Sequence, residues 1–137
     1  MIPRCVGVVA VGTALLTLLP ASAGEESPHE EALKAMLKSL DKMTTALAGV
    51  KDGETAEAAR PDLKKAVDGW TMARARADKL PPPEPAEKER LAKQYKGKMD
   101  AALKKLLTEV GRVNAVPAAK GLLKELRAVL EPAAPAP

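Results

Sequence analysis

The sequence predicts an all-α protein: an up-down antiparallel bundle of three long helices with a shorter fourth helix packed alongside. Three observations predict it. Apolar residues recur at alternating spacings of three and four through successive segments, the period of a helix with one buried stripe. Prolines fall between those segments, with one exception at Pro61. No stretch alternates β-branched and polar residues as a half-buried strand would.

The N-terminus is set apart from the fold. Met1–Arg4 is a short positive region, Cys5–Leu19 is an apolar run of 15 residues, and Pro20 precedes Ala21-Ser22-Ala23. This is the pattern of a secretory signal peptide with cleavage after Ala23. The run is short of the roughly 20 residues that a spanning helix needs. Residues 1–23 are therefore expected to be removed, residues 24–130 to form the helical domain, and the Pro/Ala-rich residues 131–137 to be a disordered or polyproline-like tail. Removal leaves 114 residues and a net charge of +3, since Arg4 is the only charge lost. The expected location is the periplasm or the external medium.

The first helix opens at Ser27-Pro28-His29-Glu30. The Ser27 hydroxyl is placed to accept from a first-turn N–H and the Glu30 side chain to reach back, a capping box with Pro28 at the favoured first position. Leu33, Met36, Leu40, Met43, Leu47 and Val50 follow on one face, a seven-residue recurrence of the coiled-coil kind, and Gly49 supplies the stop.

The second helix is expected from Thr55 as N-cap, with Ala56, Ala59, Leu63, Ala66, Trp70, Ala73, Ala77 and Leu80 inward. Pro61 removes one backbone donor and predicts a kink in its first two turns or a short break before it. Gly69 weakens it beside Trp70.

Leu80–Pro85 holds four prolines and reads as a stiff extended connector. Pro85 then opens the longest helix, carrying Leu91, Ala92, Tyr95, Met99, Ala102, Leu103, Leu106, Val110 and Val113 and ending near Asn114. Val116-Pro117 forces a turn, and Pro117 begins the fourth helix with Leu122, Leu123, Leu126, Val129 and Leu130 inward. Tight loops make neighbouring helices antiparallel.

Composition closes many functional classes. The only cysteine, Cys5, leaves with the signal peptide. A disulfide scaffold, a thiolate zinc site, an iron–sulfur cluster and a cysteine nucleophile go with it. The remaining chain has 22 Ala and 26 larger apolar residues, a thin core of small side chains.

His29 is the one imidazole. With Glu26 it matches the Glu-x-x-His spacing of diiron bundles, but that chemistry needs a second such pair and further carboxylates. No metal site is assigned. Met36, Met43, Met72 and Met99 stand as the other soft ligands, so the alternative function is a haem- or copper-binding bundle using His29 and methionines. Ser27, Ser39, Thr44, Thr45, Thr55, Thr71 and Thr108 lack a recognisable base. The acid pairs Glu25-Glu26 and Glu30-Glu31 suit the helix start rather than a buried dyad. No catalytic residue is assigned and the protein is read as a non-enzyme.

Lys34, Lys38 and Lys42 form one stripe, and Lys93, Lys96, Lys98, Lys104 and Lys105 gather on the third helix. They are expected as solvated faces with Glu30–Lys34, Glu89–Lys93 and Asp100–Lys104 pairs, or as a weak anionic-surface contact. Nucleic acid is disfavoured, because no aromatics are interleaved with the bases. Leu37, Met72 and Leu107 lie off the stripes and suggest a modest contact patch.

In Ala58-Ala59-Arg60-Pro61-Asp62-Leu63, Leu80-Pro81-Pro82-Pro83, Tyr95 and the Arg112-Val113 to Pro117 turn, the chain resembles small exported helical proteins of unknown function from planctomycete-type bacteria. The resemblance implies a helical exported product and carries over no site residue. The architecture is also similar to cytochrome b562-like four-helix bundles, from which the chain departs by lacking a histidine on the last helix. The expected function is a non-enzymatic exported interaction or structural module. Its partner would be another envelope protein or a second copy.

Overall fold

A computed structural model describes residues 26–131. The signal peptide assigned to residues 1–23 and tail residues 132–137 lie outside this range. The described chain is all-α, with no strand: α1 Pro28–Ala48, α2 Gly53–Lys79, α3 Pro85–Val113, a 3-10 turn Pro117–Ala119, and α4 Lys120–Leu130.

Each boundary has a local cause. At the start of α1 the Ser27 hydroxyl accepts from the Glu30 N–H at 3.3 Å, but the Glu30 side chain does not return to Ser27. The capping box is therefore half formed, because Glu30 is drawn to a tertiary partner. At the other end Gly49 is right-handed at φ −76°, and no described glycine has positive φ. The stop is not a left-handed glycine. Val50 N–H tightens the last turn onto Leu47 O at 3.0 Å, and a side chain from α3 adds a second donor to Leu47 O and one to Val50 O just beyond the helix.

The N-cap of α2 is Asp52, not Thr55. Asp52 Oδ1 accepts from Thr55 N–H at 2.9 Å, and Thr55 Oγ1 accepts from Asp52 N–H at 2.9 Å. Thr55 thus fills the inner position of a reciprocal capping box. The Thr55 backbone N–H, then its hydroxyl, hold the Asp52 carboxyl below its usual range. Helix α2 runs unbroken through Pro61. Pro61 and Glu57 are both exposed, so the carbonyl that loses its helical donor is left near water rather than in the core.

Pro85 opens α3 and Asn114 closes it, as the sequence predicts. Ala92, expected on the stripe, is exposed; it sits about 100° around the helix from buried Leu91. Pro117 begins a 3-10 turn rather than α4 itself, and α4 follows from Lys120.

Helix α1 is central and packs against both α2 and α3; α2 also packs against the 3-10 turn and α4. Contacts near both ends of α1 show that α1 and α3 run parallel: Glu30 meets Tyr95, and Leu47 meets Arg112. Helix α2 runs antiparallel to α1, with Gly69 against Ser39. Helix α4 runs parallel to α2, with Ala118 near Gly53 and Glu125 paired to Arg60 at 3.0 Å.

This places two environments along the bundle. Where four helices meet, Leu40, Met43, Leu47, Leu106, Val113, Leu122 and Leu126 are almost fully buried; each such burial is worth about 1.5–3 kcal/mol. Toward the start of α1 only three helices remain. There Ala32, Ala73, Leu91 and Tyr95 are buried outside the main apolar cluster, and polar side chains join the elements. No described helix is long and apolar enough to cross a membrane.

Candidate interaction groove and polar tethers

At the three-helix end, Glu30 is only 7% exposed. Its carboxylate accepts from the Tyr95 hydroxyl at 2.7 Å and from Arg90 Nη1 at 3.0 Å. The Tyr95 bond, then Arg90, hold the Glu30 carboxyl below its ordinary 4.5 against the opposing effect of desolvation. The same bond pushes the Tyr95 phenol above its ordinary 10.0. Lys34 Nζ lies 4.0 Å from Glu30 and bonds to Glu26, which raises the Lys34 ammonium above its usual value. Lys98 sits 5.3 Å from the Tyr95 ring centroid, within cation–π range. Glu30 is therefore a buried tether between α1 and α3, not a solvated helix-start acid.

His29 is drawn inward as well. Its Nε2 lies 2.7 Å from the Pro81 carbonyl, which can only accept, so Nε2 carries a proton. Nδ1 faces Glu87 Oε1 at 3.8 Å, and that oxygen is buried without a hydrogen-bond partner. The contact fastens the proline connector and the start of α3 to α1.

Two of the methionines named with His29 as soft ligands are placed by their burial. Met43 is fully buried in the core and about 21 Å along α1 from His29. Met72 is 73% exposed on α2. No three His, Cys, Asp or Glu side chains form a metal-holding group among the described residues.

The hydroxyl candidates are turned back onto their own helices. Ser39, Thr44, Thr45, Thr71 and Thr108 each donate to the carbonyl four residues earlier, at 2.9–3.0 Å. Ser27 and Thr55 are engaged in caps.

The far end of α1 is finished by Arg112. Its guanidinium donates to Val50 O and Leu47 O at 2.7 Å each and pairs with Glu109 at 2.8 Å. Neither this cap nor the Glu30 tether follows from local spacing.

A concavity lies between α1 and α2, with a volume of about 730 Å³. Ala46, Ala58 and Ala59 contribute methyl groups, and Lys38, Lys42 and Lys65 stand around it with Asp41 and Asp62. None of these five charged side chains forms an ion pair among the described residues. The lysine stripe of α1 is thus split: Lys34 is engaged, whereas Lys38 and Lys42 border the groove. On α3, Lys93 pairs with Glu89 at 2.8 Å, while Asp100 and Lys104 do not pair. The suggested apolar patch also divides. Leu37 packs against the core, and Met72 and Leu107, at 73% and 61% exposed, sit on different helices.

Comparison of the chain with protein-family models, with curated proteins and with solved structures finds no match.

Proposed function

We propose that the protein is an exported, non-enzymatic helical interaction module that works through the outer face of α1 and α2. The observation that carries this reading is the α1–α2 groove, lined by unpaired charges of both signs together with Ala46, Ala58 and Ala59. Such a surface offers a partner both a close approach and directional charge contacts. Supporting the same reading, the described serine and threonine hydroxyls are bonded within their own helices or caps, and His29 is bonded to the connector. Trp70 and Tyr95, the two aromatic residues, are partly or fully buried in the bundle, which disfavours base stacking. The sequence of residues 1–23 supports export into the periplasm or medium, where another envelope protein or a second copy is the available partner.

Two measurements test this. N-terminal sequencing of the exported product should begin at Gly24; a product retaining residues 1–23 removes the export reading. Sedimentation over a concentration series, combined with cross-linking in intact cells, should show an assembly weakened by Ala58→Trp in the groove. A strict monomer with no cross-linked partner removes the interaction reading.

A further inference from the structure

We infer that the α1–α2 groove accepts a single amphipathic helix from a partner protein. The helix would place carboxylates over Lys38, Lys42 and Lys65 and a cationic side chain toward Asp41 and Asp62. This rests on the interaction-module reading and adds the chemistry of the occupant.

Shape argues for a helix. From Lys38 to Gly49 the groove follows α1 for about 16 Å, three helical turns. Between the charged residues its lining is small, with Ala46, Gly49, Ala58 and Ala59 beside Thr45 and Thr55, so a third helix can approach closely within the 8–10 Å interaxial range. A groove between two helices that receives the apolar ridge of a third is a recurrent recognition mode.

Charge argues for a mixed-charge partner. Lys38 and Lys42 are one turn apart on α1, matching carboxylates at i and i+4 on a facing helix. One turn earlier, Lys34 is already occupied by Glu26 and Glu30, so the free cations begin where the groove begins. Asp41 and Asp62 stand among the lysines. They repel a polyanion or an anionic lipid surface, but match a protein helix that carries both signs.

The test uses the processed protein and two stapled 18-residue helical peptides with the same Ala/Leu ridge. One peptide carries Glu at i and i+4 beside the ridge with Lys on its far flank; the other has these charges exchanged. Fluorescence anisotropy should show the first binding at least about tenfold more tightly than the second. Binding should weaken by about tenfold in the Lys38→Gln/Lys42→Gln variant and be blocked by Ala58→Trp, with circular dichroism confirming that both variants stay helical. Equal binding of the two peptides, or binding of neither at millimolar concentration, overturns the proposal. So does binding to vesicles of 30% phosphatidylglycerol in phosphatidylcholine that is lost in Lys38→Gln/Lys42→Gln, since the occupant is then a lipid surface. Self-association lost in the same variant also overturns it, since the occupant is then a second copy. If neither peptide binds but cellular cross-links to a partner persist in Ala58→Trp, only the groove assignment falls. If no partner is cross-linked at all, the interaction-module reading falls with it.

Discussion

The Tyr95 hydroxyl donates to the buried Glu30 carboxylate at 2.7 Å, joining positions 65 residues apart. This bond ties α1 to α3 at the end of the bundle that α4 does not reach, where the apolar core is thin. Tyr95→Phe should therefore destabilise the fold, with Arg90 left as the carboxylate's remaining close donor. Its pH dependence has a definite sign. Glu30 is held below 4.5, so its contribution is complete above the ordinary carboxyl range and is lost as pH falls through the depressed value. Tyr95 is held above 10.0, so its contribution is present below that pH and is lost as pH rises through the elevated value. Urea titrations of wild type and Tyr95→Phe should differ most near neutrality and converge in strong acid and strong alkali.

Arg112 supplies hydrogen bonds to Leu47 O in the last turn of α1 and to Val50 O just beyond it. Arg112→Ala should cost about 1.5 kcal/mol, toward the lower end for charge-assisted bonds because the site borders solvent. Hydrogen exchange should accelerate in the last turn of α1 well before it does in α4.

The leucines of α4 test whether that helix is integral. Leu122, Leu123 and Leu126 are at most 2% exposed, so α4 belongs to the same core as α1. Leu126→Ala should lower global stability by about 2–5 kcal/mol. Fluorescence of Trp70 and far-ultraviolet circular dichroism should report one shared unfolding transition; an earlier separate loss of helix would mean that α4 detaches independently.

The glycines separate propensity from packing. A Cβ at Gly97 or Gly111 meets nothing within 4 Å, so Gly97→Ala and Gly111→Ala should each stabilise by up to about 1 kcal/mol. At Gly69 a Cβ would stand 3.0 Å from Ser39 Oγ, which is already bonded to Ala35 O. Gly69→Ala should gain less than Gly97→Ala by about 1 kcal/mol, from the disturbed hydrogen bond. That deficit should vanish in a Ser39→Ala background, measured as a double-mutant cycle.

The helices were legible because their signals are periodic and local. Leu40, Met43 and Leu47 recur on one face and are buried, and Pro85 opens α3 where its missing donor costs nothing. The tertiary role of Glu30 is hidden because Ser-x-x-Glu has an adequate local explanation. A signal did exist: Glu30 lies three residues before Leu33, on the inward side, and Tyr95 lies on the core stripe with a hydroxyl that needs a partner. Asp52 and Thr55 are both competent caps, and spacing alone does not choose between them. The groove was invisible for another reason. Its lysines and alanines are ordinary helix residues, and only the packing of α2 on α1 brings Lys65 and Asp62 beside Lys38 and Lys42.

The cap on α1 also sets an order of biogenesis. Its donor is encoded 62 to 65 positions after the carbonyls it serves. A nascent chain that has released only the first two helices still has an unfinished end on the first. Until Arg112 arrives, Leu47 O keeps only its bond from Val50 N–H, and Val50 O is left to water.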